Sequence, residues 1–252
     1  MLGAQSAFWR LSAWSHQLAG TRIEQIDDPD LGLVLVDSDR GRVLVAYGEP
    51  ARGIDALRNV MDRGVRPDRT MINRELYGAL DAPLRDHFGP NWGYAWDYFW
   101  ADEPLDPVPG SERVELLRAA SPQFAAVAGD VRRALEQANP ITDALERFDE
   151  LDWFVMRAPT GDIAIVLGAT QEKECMSLEG LGTVPEYRGQ GYGGATMVGA
   201  VNMSLELTGY VRFGVWSWNE GAMRLYRRLG IHHDGKLISG RREPFDEARY
   251  LQ

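Results

Sequence analysis

The stretch Thr183-Val-Pro-Glu-Tyr-Arg-Gly-Gln-Gly-Tyr-Gly-Gly194 sets Arg188, Gly189, Gln190, Gly191, Tyr192, Gly193 and Gly194 where a β-rich run gives way to an apolar helix. Helix N-termini carry unpaired N–H groups and partial positive charge, so such a junction suits a phosphate. Glycines leave the approach unobstructed and allow the φ > 0 geometry that turns successive amides toward one oxyanion. Two known phosphate patterns compete for this segment. Gly189, Gly191 and Gly194 satisfy G-x-G-x-x-G, but a dinucleotide site expects an acidic residue at the end of the next strand, about 20 residues on. Here that strand, Val211–Trp216, ends in tryptophan and serine. The Walker pattern fails because no lysine follows the glycines.

Around this loop the C-terminal part alternates strands and helices. Arg113–Leu117, Trp153–Arg157, Ile163–Leu167 and about Met176–Val184 read as strands, with a turn at Pro159–Asp162. Ser121–Glu136 and Ile141–Phe148 read as helices before the loop, and Ala195–Leu207 and Asn219–Leu229 as helices after it. Val211–Trp216 is a further strand, and a hairpin around Asp234-Gly235 closes the chain. Asn219, Ala222 and Tyr226 fall at i, i+3 and i+7 and share one helix face. Ser217 and Glu220 have the spacing of a capping box.

The segment Glu103–Ser111 holds three prolines and a glycine and reads as an extended linker. It separates an N-terminal domain, 1–104, from a C-terminal one, 112–252. In the former, Leu31–Asp37 and Arg42–Tyr47 form a hairpin, a helix carries Ile54, Leu57, Val60 and Met61, and a second runs from Glu75 to His87 with Pro83 as an interruption. Trp92, Tyr94, Trp96, Tyr98 and Trp100 alternate with smaller residues, which is strand periodicity. They form either a buried sheet face or an aromatic wall able to contact a cation. The expected class is α/β (α+β): a mixed central sheet with flanking helices and a smaller α/β N-terminal domain, which is either a substrate cleft or structural.

Composition narrows the function. The chain has 252 residues, 27 basic against 37 acidic, for a net charge of −10. A phosphate backbone needs a basic face, so nucleic acid is not an expected partner. No apolar run suggests a signal peptide or a membrane span, and a cytoplasmic protein is expected. One cysteine, Cys175, excludes an internal disulfide and any multi-cysteine metal site. No metal is expected, and the oligomeric state stays open, a homodimer included.

The residues Arg188-Gly189-Gln190-Gly191-Tyr192-Gly193 match the Gln/Arg-x-x-Gly-x-Gly/Ala signature of the GNAT superfamily of N-acetyltransferases, which this sequence resembles over its last 140 or so residues. Asn219-Glu220-Gly221-Ala222-Met223-Arg224-Leu225-Tyr226, continuing to Gly230, is similar to that family's Asn-x-x-Ala-x-x-Leu-Tyr-x-x-x-Gly helix. The N-terminal half resembles a degenerate second copy, as in tandem members, but lacks a glycine loop. The resemblance implies acetyl-coenzyme A as co-substrate, with its pyrophosphate on residues 188–194 and its pantetheine arm added like a strand along Leu181, Thr183 and Val184. It also implies a splayed sheet between 176–184 and 211–216, with Ala222 on the cofactor side and Asn219 either bonding the pantetheine or capping the start of the helix.

Direct acyl transfer to a small-molecule amine needs a base for the ammonium proton and an acid for the departing thiolate. The resemblance implies Tyr226 as the acid, and a phenol is protonated at neutral pH. Glu179 is the candidate base, the one acid within its strand and on the parity of Leu181 and Thr183. His232 and His233 read as an exposed loop pair, and Cys175 has no adjacent base to make it a nucleophile. Two other readings remain: a non-catalytic coenzyme A-binding or regulatory protein, and a nucleotide-cofactor enzyme using the glycine loop.

Overall fold

A computed structural model describes residues 20–27, 29–38, 41–172 and 174–244. Its strands are β1 Thr21–Asp27, β2 Leu31–Ser38, β3 Gly41–Gly48, β4 Arg69–Asn73, β5 Asn91–Ala101, β6 Glu115–Leu117, β7 Asp152–Arg157, β8 Ile163–Glu172, β9 Cys175–Thr183, β10 Tyr210–Trp216 and β11 His232–Arg241. The helices are α1 Pro50–Asp62, α2 Arg74–Ala79, α3 Ala82–Phe88, α4 Pro122–Ala138, α5 Tyr192–Thr208 and α6 Glu220–Arg228. No described helix is long and apolar enough to cross a membrane.

The chain divides into two compact units. Of the described residues, the first takes those up to Tyr98, the short stretch Val215–Glu220 and those from His233 to 244; the second takes those in Phe99–Gly214 and Gly221–His232. Glu103–Ser111 therefore falls inside the second unit. Its backbone is irregular, as its prolines require, but it is pinned rather than free. The Leu105 amide donates to Asn202 Oδ1 at 2.8 Å, and Asn202 Nδ2 donates to the Leu105 carbonyl at 3.0 Å.

In the first unit, β1, β2 and β3 form an antiparallel meander, and β4 joins β3 in parallel after the α1 crossover. The strands β2 and β3 are apolar almost throughout because both faces of this part of the sheet are covered. Glu49 caps α1 by accepting from the Arg52 amide at 2.9 Å, with Pro50 in the first turn. The expected helix over 75–87 is two helices. Asp81 ends the first arrangement by capping α3 through the Leu84 amide, which puts Pro83 in a first turn, where a missing N–H costs nothing. Leu33, Leu35, Leu44, Leu57, Ile72, Leu76 and Phe88 make the core beneath. The turn expected between β2 and β3 falls partly on residues outside those described. The sequence reading missed β1 and β4.

The expected terminal hairpin is instead one strand, β11, antiparallel to β4 from Leu237↔Asn73 to Arg241↔Arg69. Gly235 lies within that strand, packed against the Tyr47 ring and Tyr98. In β5 the even-residue aromatics do not line one face. Tyr94 has φ +50, which breaks the alternation, and Asp97, Tyr98 and Phe99 are all buried in succession.

In the second unit the strands run β10-β9-β8-β7-β6. Ser121 caps α4 through the Phe124 amide at 3.1 Å. The helix expected over 141–148 is two short 3₁₀ turns, Asp143–Leu145 and Phe148–Glu150. They let Ala144, Phe148 and Leu151 fill the core with Leu135, Trp153 and Val166. The Trp153 indole, wholly buried, donates to the Phe148 carbonyl at 3.1 Å, so its one polar group is satisfied.

Candidate active site

The strand β9 carries the loop, and its shape follows from one residue. Gly180 has φ +70, and the β8–β9 register slips between Val166↔Gly182 and Gly168↔Glu179, which inserts an extra residue into β9. That bulge ends the period-two relation between Glu179 and the pair Leu181 and Thr183, so the shared parity expected from the sequence does not hold. A side chain at Gly180 would also meet Ala144 Cβ at 2.8 Å.

On its other edge, β9 pairs in parallel with β10 only at Cys175↔Tyr210, Met176↔Val211 and Ser177↔Arg212. From Leu178 to Thr183 the strand continues without that partner, which is the splay expected between these two strands. Just at the divergence lies a buried ion pair. Arg212 Nη2 donates to Glu172 Oε2 at 2.5 Å and Arg212 Nε to Ser177 Oγ at 2.7 Å, both charged side chains being more than nine-tenths buried. These bonds tie β10, β9 and the end of β8 together where the sheet begins to open.

Beyond Thr183 the chain makes a 3₁₀ turn, Pro185–Tyr187, and enters α5 at Gly191. Gly189 and Gly191 have φ +75 and +87, a region that other residues enter at a cost of about 1–2 kcal/mol. No side chain caps the helix, and the first intrahelical bond is Ala195 N–H to the Gly191 carbonyl at 3.1 Å. The amides of Tyr192, Gly193 and Gly194 thus lie at the uncapped end, with open space where side chains at Gly189 and Gly191 would be. The residues present therefore fit an anionic group held by backbone amides.

The side chains of the loop hydrogen-bond to carbonyls of the surrounding backbone. Arg188 Nε donates to the Thr183 carbonyl at 3.1 Å and Nη2 to the Ala138 carbonyl at 3.2 Å, fastening the loop to the end of α4. Gln190 Nε2 donates to the Glu186 carbonyl at 3.0 Å. Of the strand positions, Leu181 accepts from Asn139 Nδ2 at 3.4 Å, and the Val184 amide is committed to the Ala164 carbonyl at 2.9 Å. Tyr192 is buried, with its ring 6.0 Å from that of Tyr187.

Packing brings α6 to the same place. Leu225 sits against Gly193 and Gly194, where an added Cβ would meet it at 3.6 and 3.7 Å, an ordinary van der Waals contact. One residue on, Tyr226 is buried between Phe99 and Phe213, with ring centroids 5.3 and 4.7 Å away, and burial pushes its phenol up to about 12. Ala222 is half-buried on the same helix. The Asn219 amide donates to the Trp216 carbonyl at 2.9 Å just before α6 begins. The expected capping box is not formed by Ser217, whose hydroxyl donates to Asp97 instead.

Glu179 is half-buried and accepts from Arg147 Nη1 at 3.2 Å. Burial raises its carboxyl above the usual range, and the Arg147 charge offsets that only in part. Arg147, a neighbour that sequence reasoning missed, lies in the turn between the two 3₁₀ segments, 32 residues away. Cys175 is buried and its thiol is pushed up to about 11 by desolvation, which leaves it without thiolate character. His232 and His233 lie on β11 rather than in a loop. The His232 ring stacks on Trp100 at 4.5 Å, and a ring nitrogen of His233 lies 2.6 Å from Asp97 Oδ1.

Residues 118–231 match the family model described as Acetyltransferase (GNAT) family. No curated protein matches the chain. Among solved structures, a GCN5-related N-acetyltransferase from Kribbella flavida shares 19% identity at a TM-score of 0.53, covering 94% of this chain and 95% of that one. A GCN5-related N-acetyltransferase from Sphaerobacter thermophilus shares 17% at 0.52, covering 87% and 79%. A GNAT-family acetyltransferase from Colwellia psychrerythraea shares 9% at 0.54, covering 92% and 88%. These structures share the fold, and the agreement extends over the N-terminal as well as the C-terminal part of the chain.

Proposed function

We propose that this protein, whose residues 118–231 match the GNAT acetyltransferase family model, transfers an acetyl group from acetyl-coenzyme A to the primary amine of a small molecule. The observation that carries this reading is the uncapped start of α5, with its open glycine approach, following directly on the part of β9 that β10 leaves unpaired. The amides of Tyr192, Gly193 and Gly194 receive the pyrophosphate, and Arg188 and Gln190 brace the loop that presents them. The pantetheine amides pair with the edge of β9 that β10 leaves unpaired, near Leu181 and Thr183. Asn219, just before α6, and Ala222 within it flank the arm.

In the transfer step, the amine nitrogen attacks the thioester carbonyl carbon, the C–S bond breaks, and the ammonium proton leaves to a base while the thiolate gains a proton. Tyr226 supplies that proton; a phenol near 12 is fully protonated at neutral pH and donates to the sulfur as charge develops there. Glu179 receives the ammonium proton through water. Its raised carboxyl makes it a stronger base than an exposed glutamate, and Arg147 holds its orientation. Both substrates are bound together, so no covalent enzyme intermediate is needed, in keeping with the inert Cys175.

A thermal-shift series with acetyl-coenzyme A, coenzyme A and NAD tests the donor. Stabilisation by the first two alone is expected. A response to NAD with none to acetyl-coenzyme A would favour a nucleotide-cofactor enzyme. Binding of acetyl-coenzyme A without thiol release across a panel of primary amines would mark a non-catalytic coenzyme A protein.

A further inference from the structure

The first unit contains a cavity of about 400 Å³ lined by Tyr94, Ala95, Trp216, Ser217 and Trp218. Its walls are aromatic: the Tyr94 and Trp216 rings meet edge to face at 5.4 Å, and Trp218 is 53% exposed at the mouth. An exposed tryptophan beside a cavity is a surface that a visiting group can cover at little structural cost. Tyr94 takes its place in the lining from a left-handed backbone, φ +50, a conformation that persists only where surroundings enforce it and that gathers at functional sites.

Ser217 supplies the polar edge. Its hydroxyl donates to Asp97 Oδ2 at 2.6 Å, and Asp97 also receives Arg74 Nη2 at 2.6 Å and has His233 at 2.6 Å. Burial alone would raise the Asp97 carboxyl, but Ser217, Arg74 and His233 together hold it below the usual range, so it is ionised and purely an acceptor. The single Ser217 proton is therefore committed to the carboxylate. What Ser217 Oγ can offer a ligand is lone pairs, so it selects a hydrogen-bond donor. The Arg241 guanidinium already lies over the Tyr94 ring at 4.8 Å, so the rings of this wall serve the ligand's apolar body and not its charge.

We infer that this cavity binds a primary amine carried on an aromatic or apolar body, the body against Tyr94, Trp216 and Trp218 and the ammonium group on Ser217 Oγ. Calorimetric titration of the full chain, without any acyl donor, tests the inference with 2-phenylethylamine and its shape-matched partners 2-phenylethanol and 3-phenylpropionate. The amine is expected to bind saturably, at least tenfold tighter than the alcohol, with no detectable heat from the carboxylate. Trp218→Ala, at an exposed position whose removal leaves the fold intact, should weaken the amine about tenfold, and Ser217→Ala should remove its advantage over the alcohol. Absence of saturable amine binding, equal binding of the three probes, or unchanged binding in Trp218→Ala would overturn the assignment. Acetyl-coenzyme A binding is read in a separate titration, so a failure here is distinguishable from a failure of the donor-side reading.

Discussion

Replacing Arg212 by methionine tests whether the ion pair at the β9–β10 divergence holds the sheet in place. Arg212 and Glu172 are 4% and 7% exposed, and Arg212 also satisfies Ser177 Oγ. Removing the guanidinium leaves a carboxylate buried with its counter-charge gone, a change that costs about 3–5 kcal/mol. With a urea dependence of about 2 kcal/mol per molar, the unfolding midpoint should fall by roughly 2 M. The double variant Arg212→Met/Glu172→Met replaces both charges with apolar volume and should recover most of that loss, since paired charges of this kind are often no better than packed hydrophobic residues. The assay is urea unfolding followed by far-ultraviolet circular dichroism, with acetyl-coenzyme A affinity measured on the same proteins. The single variant should also bind acetyl-coenzyme A more weakly, because the point at which β9 and β10 part is no longer fastened. A single variant within about 1 kcal/mol of wild type, or a double variant as unstable as the single, would refute this reasoning.

Tyr226→Phe should lower kcat by about 10²–10⁴ while leaving coenzyme A affinity nearly unchanged, as expected for loss of a general acid; an unchanged kcat in a steady-state thiol-release assay would remove that role. Because burial raises the Glu179 carboxyl and the base acts when deprotonated, kcat/KM should rise with pH along a limb set above that of an ordinary glutamate. Glu179→Gln should abolish the limb, and a pH profile identical to wild type would exclude the assignment. Gly191→Val places a β-branched residue at φ +87 and a side chain in the open approach. It should cost about 1–2 kcal/mol of stability and at least tenfold in acetyl-coenzyme A affinity, read by thermal melting and titration. Cys175, with its thiol near 11, is about one part in ten thousand thiolate at pH 7; native protein should resist iodoacetamide and react only once unfolded.

The loop proposed to hold the donor was legible because it is local. A strand, two glycines in the left-handed region and a helix start lie within twelve consecutive residues, and Ala222 and Tyr226 are related by helical spacing alone. Arg188 shows where such reading stops. Its place in the signature is right, yet its guanidinium serves the carbonyls of Thr183 and Ala138, the latter 50 residues away. The parity assigned to Glu179, Leu181 and Thr183 failed for a related reason. A bulge at Gly180 is decided by the register against β8 and by Ala144 packed over it, and neither is visible along β9.

Sequence by itself determined the apolar cores of both halves, the phosphate-ready loop and the helix that carries Tyr226, because backbone preference and burial periodicity act between near neighbours. Only tertiary structure decided that β11 runs unbroken beside β4, that Arg147 steadies Glu179, and that Arg74, Asp97, Ser217 and His233 meet. Those last four come from segments up to 159 positions apart, taking Arg74 to His233 in the numbering. A buried carboxylate demands partners wherever the fold supplies them, and it is strand pairing, not chain proximity, that brings them within hydrogen-bond reach.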